Sequence, residues 1–269
     1  MASDPSKTSR VLVIAGSDSG GGAGVQADIK AVMAGGGHAM TAITAITVQD
    51  TTGVHGIWPV PLDAVIGQID VTLADIGADA IKTGMLATSQ LIEAVAERLS
   101  ERAPDVPRLI DPVIVATSGD WLVDDKAVDA LRSELVPDAA LVTPNAPEAE
   151  VLTGKAVEDV NGQRRAAEAL LERGATGALV KGGHIGGGVV IDVLQTVHGE
   201  WIFESPRIDT RHTHGTGCTL ASAIAVRLGQ GKSAPDAVEG ARDYLMKAIE
   251  TAPGLGKGHG PINHGWVVD

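Results

Sequence analysis

The residues best suited to chemistry form a glycine-rich segment at 213–219, directly before an alanine-rich stretch that predicts a helix. Glycines let backbone N–H groups converge, and a helix N-terminus adds the positive end of its dipole. The run Gly215, Thr216, Gly217 and Cys218 therefore predicts an anion cradle, suited to the charge that develops on a transferred phosphoryl group. Cys218 stands where a thiol pKa tends to be lowered, which makes it a candidate general base. The alternative is an inert buried cysteine at a glycine helix start.

A second candidate group begins another predicted helix, immediately after a strand. Asn145 and Glu148 are three residues apart and share one face of a first turn, where both can hold a hydrated Mg²⁺ against phosphates. Ordinary helix capping by Asn145 explains the same pattern. Lys181 ends a later strand and is either a phosphate contact or part of a plain turn.

Three other motifs resemble ligand sites but do not support them. The segment 16–24 follows a strand and opens a helix, but no G-x-G-x-x-G register fits it. Gly231-Lys232-Ser233 resembles the end of a P-loop, yet Val226 occupies the required first glycine. His212 and His214 have i, i+2 spacing without further ligands, so a structural role is favoured over a metal pair.

The elements that position these residues alternate along the chain. The strands are predicted at 11–15, 80–82, 108–111, 139–142 and 178–181, with an alternating run at 42–48 that breaks at Gln49-Asp50 and a hairpin of 189–197 with 200–204. The helices are predicted at 25–35, 62–74, 89–99, 127–135, 144–152, 163–173, 219–228 and 234–251.

Repeated strand-then-helix units predict an α/β fold, a mostly parallel sheet with helices on both faces, in one domain over 1–269. Residues 1–9 are expected to form a flexible N-terminal segment. Ligands of such sheets bind beyond the carboxyl ends of the strands. The polar and glycine-rich segments lie there, at 16–24, 49–53, 82–85, 111–119, 143–148 and 181–188.

Composition excludes several classes of protein. The apolar fraction of 44% with only 2% aromatic residues predicts an aliphatic core, and a formal charge of −13 argues against nucleic-acid or anionic-membrane binding. The single cysteine, Cys218, excludes intrachain disulfides and cysteine metal clusters. A polar first ten residues and the lack of a long apolar run predict a cytoplasmic protein without signal peptide or transmembrane helix.

Taken together, the segments resemble the hydroxymethylpyrimidine/phosphomethylpyrimidine kinases of thiamine biosynthesis, which have the ribokinase-like fold. The resemblance covers residues 14–264. Its motifs are Ala15-Gly16-Ser17-Asp18, the run 21–28, Val48-Gln49-Asp50-Thr51, Lys82-Thr83-Gly84-Met85, Asp111-Pro112-Val113, Ser118-Gly119, Thr143-Pro144-Asn145, Lys181-Gly182-Gly183-His184, the run 214–219 and Gly258-His259-Gly260-Pro261. Each motif is weak alone, and their order together is highly specific.

The resemblance implies a pyrimidine pocket lined by Gly16, Asp28, Gln49, Met85 and Val113. Asp28 and the Gln49 amide are suited to hydrogen-bond an aminopyrimidine edge. Met85 and Val113 are suited to pack on its faces.

The resemblance also implies roles at the phosphate end. Residues 215–218 form the anion hole, with Cys218 where most ribokinase-like sugar kinases place an aspartate base. Asn145 and Glu148 match the Mg²⁺-linked motif, with Asp111 nearby, while Lys181 and Thr216 contact ATP. Thr117 departs from some relatives, which carry lysine there, so one basic contact near the phosphates is missing.

The implied reaction is ATP- and Mg²⁺-dependent phosphorylation of 4-amino-5-hydroxymethyl-2-methylpyrimidine and then of its monophosphate. The alternatives are a pyridoxal kinase and a non-catalytic nucleotide- or pyrimidine-binding regulator. A homodimer is expected.

Overall fold

Nine strands form one sheet through the middle of the protein, in the order β3-β2-β1-β4-β5-β6-β7-β8-β9. The computed structural model describes residues 8–115 and 121–268. The strands are β1 Arg10–Ser17, β2 His38–Asp50, β3 Gly53–Pro59, β4 Ala80–Thr83, β5 Arg108–Ile110, β6 Leu141–Val142, β7 Gly177–Val180, β8 Val189–Thr196 and β9 Gly199–Pro206. Neighbouring strands in the series β2-β1-β4-β5-β6-β7 pair in parallel. The pairs β2–β3, β7–β8 and β8–β9 are antiparallel. The predicted mostly parallel sheet and the β8–β9 hairpin are confirmed.

Helices cover both faces of this sheet. They are α1 Gly24–Ala34, α2 Leu62–Asp75, α3 Ser89–Arg102, α4 Asp125–Ala130 with a π-helical continuation Leu131–Leu135, α5 Ala146–Thr153, α6 Val160–Glu172, α7 Thr216–Gly229 and α8 Ala234–Glu250. Among the described residues, none of the helices has the length and apolarity needed to cross a membrane.

Strand β1 shows how the layers are assembled. Successive side chains of a strand point to opposite faces. Leu12 and Ile14 pack in a core with α2 to α6, whereas Val11 and Val13 pack in a second core with α1, α7 and α8. The chain is therefore a three-layer α/β/α sandwich, and its one sheet supports the prediction of one domain.

The chain after residue 48 differs from the prediction. Strand β2 does not break at Gln49-Asp50 but continues through both residues, which pair with the unpredicted strand β3. The carboxylate of Asp50 accepts the N–H of Thr52 at 2.7 Å and so turns the chain into a hairpin. Gln49 is thereby held at the tip of a paired strand.

The chain order places a crevice at the carboxyl end of β1. From β1 the chain proceeds to β2 on one side and later returns to β4 on the other, which is the switch point where α/β sheets bind ligands.

The N-terminal segment predicted to be flexible is described only in part, since its residues 1–7 lie outside the described residues. Ser9 is buried, and its carbonyl accepts the N–H of His38 at 2.8 Å, so the expected flexibility does not extend to it.

Candidate active site

A cavity of about 580 Å³ runs along the carboxyl edge of the sheet. Its walls contain every predicted site residue except Asp28: Gly16, Gln49, Met85, Asp111, Val113, Asn145, Glu148, Lys181, Gly215, Thr216, Gly217 and Cys218. The topology thus brings together residues that are up to about 200 positions apart in the chain.

The anion cradle begins at a glycine that no other residue can replace without strain. Gly215 has φ 80°, and a Cβ there would collide with the carbonyl oxygen of Gly22. Helix α7 therefore begins at Thr216, three residues earlier than predicted, and Cys218 lies within its first turn.

Two N–H groups at this helix start have no acceptor in the described part of the chain. The N–H of Thr216 donates to the carbonyl of Thr213 at 3.3 Å, and that of Thr219 to the carbonyl of Gly215 at 2.9 Å. The intervening amides of Gly217 and Cys218 belong to the cavity wall. The first N–H groups of a helix need an outside partner, and an anion in the cavity supplies one.

Cys218 does not have the lowered pKa that its position at a helix start predicts. Burial raises the pKa of its thiol to about 12, and although the Lys82 cation opposes the rise, Asp28 and Asp111 reinforce it. The helix-terminus effect is outweighed because the thiolate is poorly solvated here. In the unliganded protein Cys218 is therefore a protonated thiol at neutral pH.

Lys181 brings a positive charge to the cradle. Its Nζ lies 3.3 Å from Oδ1 of Asp111 and would lie 3.5 Å from a Cβ at Gly217. Burial alone would lower the pKa of Lys181, but Asp111 and Glu148 together raise it. The ammonium group stays charged at neutral pH beside the two free amides.

Asn145 and Glu148 form a reciprocal capping box at the start of α5. Oδ1 of Asn145 accepts the N–H of Glu148 at 2.9 Å, and Oε2 of Glu148 accepts the N–H of Asn145 at 2.8 Å. The capping explanation is therefore correct in geometry, yet both residues also line the cavity. Burial, reinforced by Asp111 and opposed by Lys181, raises the pKa of Glu148 to about 7.

The carboxylates fit a magnesium ion that is held mainly by phosphates. The described residues contain no group of three or more His, Cys, Asp or Glu side chains arranged as a metal site. Oδ2 of Asp111 is buried, accepts no hydrogen bond from the described residues and lies 3.7 Å from Nζ of Lys82. Mg²⁺ commonly takes one or two carboxylates together with waters and substrate phosphates, and Asp111 with Glu148 matches that donor set.

The other end of the cavity combines an amide with apolar surface. Gly16 lies against Met85, since a Cβ at Gly16 would be 2.7 Å from the methionine Cε. The Thr47 hydroxyl donates to the carbonyl of Ser17 at 2.7 Å, and Oε1 of Gln49 lies 3.3 Å from the same hydroxyl oxygen. Val113 completes a pocket that suits a flat heterocycle with polar edges.

Asp28 is the predicted site residue that the structure places outside the cavity wall. Its side chain has 0% exposure, and both carboxylate oxygens lie within 3.2 Å of Nζ of Lys82. The hydroxyl of Ser222 donates to the same carboxylate at 2.7 Å. Asp28 faces the interior from α1, does not line the cavity and holds Lys82, which does line it. A lysine inside an apolar strand is the signal that could have revealed this pair.

The far end of the cavity was missed by sequence reasoning. It is lined by aliphatic side chains near α8 and by a buried ion pair: Val190, Ile208, Leu245, Met246 and Ile249, with Asp192 and Arg242. No motif marks these residues, because they come from β8, from the segment after β9 and from one face of α8.

The remaining motifs have structural roles. The N–H groups of Gly20, Gly22 and Ala23 donate to the Asp18 carboxylate, so these three amides of the turn are not available to a pyrophosphate. The Gly231-Lys232-Ser233 segment joins two helices, α7 and α8, whereas a P-loop joins a strand to a helix. The predicted departure at Thr117 lies outside the described residues.

Comparison with known proteins agrees with this geometry. The profile of the phosphomethylpyrimidine kinase family matches residues 18–263. The hydroxymethylpyrimidine/phosphomethylpyrimidine kinase of Streptomyces coelicolor is 48% identical over 258 residues, which cover 96% of this chain and 95% of that protein.

Solved structures give the same result. An ADP complex of Bacillus subtilis pyridoxal kinase superposes with a TM-score of 0.89 at 33% identity, covering 96% of this chain and 98% of that one. The phosphomethylpyrimidine kinase of Clostridium difficile superposes with a TM-score of 0.80 at 36% identity, covering 90% and 100%. Fold and site therefore define a phosphotransferase of the ribokinase-like class. The chain belongs to the phosphomethylpyrimidine kinase family.

Proposed function

We propose that the protein transfers the γ-phosphoryl group of ATP to the hydroxymethyl group of 4-amino-5-hydroxymethyl-2-methylpyrimidine. A second transfer to the monophosphate gives the pyrophosphate used in thiamine biosynthesis. One observation carries the proposal: the free amides of Gly217 and Cys218, with the Lys181 cation, line the same cavity as the Gln49 heterocycle pocket and the aliphatic surface near α8.

The pocket at Gly16, Gln49, Met85 and Val113 is proposed to hold the pyrimidine. The Gln49 amide, which lines the cavity, offers both a donor and an acceptor to the aminopyrimidine edge. Met85 and Val113 supply apolar faces, and the glycine at position 16 lets the ring approach the backbone.

ATP is proposed to lie along the rest of the cavity. The aliphatic surface near α8 suits the adenine. Lys181, the free amides of Gly217 and Cys218 and the hydroxyl of Thr216 suit the phosphates. Magnesium, when bound with the nucleotide, neutralises phosphate charge, and Asp111, Asn145 and Glu148 would hold it, partly through water.

The transfer step depends on position and charge. The substrate hydroxyl oxygen forms a bond to the γ-phosphorus as the bond to the ADP oxygen breaks, and the hydroxyl proton leaves. The amides of the cradle and Lys181 stabilise the charge on the transferring group. Cys218 guides the proton by hydrogen bonding to the hydroxyl, and an oxygen of the transferring phosphoryl group accepts it. Because the thiol is protonated at rest, Cys218 acts as the base itself only if ligand binding first removes its own proton.

Parallel kinetics with three acceptors test the proposal. ADP production is measured with the hydroxymethylpyrimidine, with its monophosphate and with pyridoxal, and we expect the highest kcat/KM on the two pyrimidines. A large preference for pyridoxal would instead assign the pyridoxal kinase activity, an alternative favoured by the TM-score of 0.89 to a pyridoxal kinase. Ligand-induced thermal stabilisation without ADP production would assign a binding regulator.

We propose that the protein is a cytoplasmic homodimer. The support for location is chemical, since ATP and a reduced single cysteine belong to that compartment. The support for the dimer is an exposed apolar stripe on the β2–β3 hairpin, formed by Ile46, Val48 and Trp58.

A further inference from the structure

Asp18 and His214 form a buried pair that joins two loops of the active site. Asp18 follows β1 and His214 precedes α7, 196 positions later. Nε2 of His214 lies 2.9 Å from Oδ2 of Asp18, and both residues are buried. The reaction proposed above assigns neither residue a role.

On one side the pair fixes the glycine-rich turn after β1. Oδ1 of Asp18 accepts the N–H of Gly20 at 2.8 Å, and Oδ2 accepts those of Gly22 at 2.9 Å and Ala23 at 2.8 Å. Burial raises the pKa of Asp18, but the hydrogen bonds from His214, Ala23 and Gly20 outweigh it and the net shift is downward. The carboxylate is therefore charged at neutral pH and saturated with donors.

On the other side the pair fixes the anion cradle. The backbone N–H of His214 donates to the carbonyl of Gly260 at 3.2 Å, which ties the segment to the C-terminal tail. The His214 ring lies against Gly22, where a Cβ would be 2.5 Å from Cδ2. The next residue, Gly215, lies against the carbonyl of Gly22, so the two loops are in contact over several atoms.

The heterocycle pocket, where the phosphoryl acceptor is proposed to bind, is also in contact with the Asp18–His214 pair. Nε2 of Gln49 lies 3.5 Å from Nε2 of His214. Because that ring nitrogen donates to Asp18, the approach of a second donor is a packing contact and not a hydrogen bond. One hydrogen-bonded pair thus touches the turn, the cradle and the amide of the heterocycle pocket.

We propose that Asp18 and His214 are positioning residues that set the distance between the anion cradle and the acceptor. The inference rests on the proposed phosphoryl transfer. Amides aimed at a transition state are effective only at the correct place, and a displacement of about 1 Å can cost roughly 10²-fold in rate. Ground-state binding of ATP and acceptor depends on other contacts along the cavity and is less sensitive.

The test compares Asp18→Asn, His214→Gln and His214→Ala with the double variant Asp18→Asn/His214→Gln in the full chain. We expect kcat to fall by about 10²-fold in Asp18→Asn and His214→Ala, with both KM values little changed. The amide of Gln still offers an N–H donor to Asp18, so His214→Gln should lose less kcat than His214→Ala. The double variant should be no slower than the slower single variant, because both changes break one connection.

His264→Gln is the matched control. His264 is also buried, and its Nε2 lies 2.8 Å from the hydroxyl of Thr219 in the first turn of the same helix α7, but neither residue lines the cavity. This variant should lower Tm and leave kcat of the folded protein unchanged. If Asp18→Asn does not fold, as judged by circular dichroism, the two His214 variants decide the question.

Three results would overturn the inference. The first is a wild-type kcat in folded Asp18 or His214 variants. The second is a loss of kcat in these variants that is no larger than the loss in His264→Gln at the same decrease in Tm. The third is a double variant in which the losses of kcat from the two single variants multiply. A wild-type protein with no ATP-dependent turnover on any acceptor would refute the proposed function itself. Normal wild-type turnover with unaffected variants would refute only the positioning role.

Discussion

Charge at the active site is set by burial and pairing together. Lys82 and Lys181 stand among the carboxylates of Asp28, Asp111 and Glu148. Burial opposes the charge on each lysine, yet the carboxylates outweigh it and raise the pKa of both. Both lysines are therefore permanent cations near the place where phosphates are proposed to bind.

Replacing Asp28 tests its reassignment as a structural residue. Asp28→Asn leaves the buried Lys82 without its main counter-charge, and breaking such a pair typically costs about 3–5 kcal/mol. We expect a large drop in the urea midpoint, with acceptor KM in the remaining folded protein little changed. A stable variant with a raised acceptor KM would restore Asp28 as a pyrimidine contact.

Cys218 offers a second test at the same scale. Cys218→Ala should lower kcat by about 10²-fold if the thiol handles the hydroxyl proton, while acceptor KM stays close to that of the wild type. Steady-state kinetics with the hydroxymethylpyrimidine measure both. A rate near that of the wild type would leave the cysteine as a structural residue of the helix start.

The protonation state of the thiol is measured separately by alkylation. Only the thiolate reacts, and because burial raises the pKa to about 12, iodoacetamide should react slowly at pH 7 and faster as the pH rises above 9. Rapid alkylation of the unliganded protein at pH 7 would contradict the direction of that shift.

At the scale of the element, the first turns of helices do two different tasks in this protein. Asn145 caps α5 inside the cavity, and Asp159 caps α6 by accepting the N–H of Gly162 at 2.7 Å, away from the cavity. Because the two caps are similar in geometry and differ in location, replacing each of them distinguishes the effect of capping on stability from an effect on catalysis.

Replacing each cap by alanine should therefore give different kinetics. Asn145→Ala and Asp159→Ala should each cost about 1 kcal/mol of stability, measured by urea unfolding. Only Asn145→Ala should also lower kcat and weaken the dependence of the rate on Mg²⁺. Equal kinetics in both variants would leave Asn145 as a cap and nothing more.

Helix α7 is also attached to the C-terminal tail through a histidine that is neutral in the fold. Burial, reinforced by Lys30, lowers the pKa of His264 from 6.5 to about 4. The neutral form is favoured on folding, so the stabilisation is present above about pH 6.5 and is lost as the pH falls toward 4. A shift of this size corresponds to at most about 3.4 kcal/mol.

The prediction concerns the acid dependence of stability. In the wild type, the urea midpoint should fall between pH 6.5 and pH 4, and in His264→Gln this fall should be smaller, although the variant is less stable at pH 7.5. An identical pH dependence in both proteins would show that other groups govern acid unfolding.

At the scale of the whole molecule, the charge of −13 contrasts with one apolar surface. Ile46 and Trp58 lie directly opposite each other in the β2–β3 pairing, and Val48 is two residues along the same face. These side chains are 48%, 57% and 49% exposed, respectively. A second copy of the chain is the proposed cover for this stripe.

Trp58→Lys places a charge at the centre of that stripe. Sedimentation velocity should show a dimer for the wild type and a shift toward monomer for the variant, because an unpaired charge is costly to bury. Val197→Lys, on the exposed turn between β8 and β9, is the control and should leave the dimer intact. A monomeric wild type would refute the assembly.

The fold was largely predictable because local patterns and tertiary structure agree. The β1 run is apolar throughout and is buried on both faces, and α3, α6 and α8 carry amphipathic patterns. Strand β3 was not predicted, since Gly53 and Gly56 interrupt its alternation and its existence depends on pairing with β2. The start of α7 was misplaced because Gly217 reads locally as loop.

The sequence by itself predicted the glycine-rich helix start at Gly215 to Cys218 as an anion cradle, because glycine conformation and a helix start are local properties. It also determined the fold class and the family. Only the tertiary structure decided that Asp28 is buried against Lys82, that the Cys218 pKa is raised and that Asp18 meets His214. The physical reason is that burial and pairing between distant residues depend on which elements pack together, and no local spacing records that.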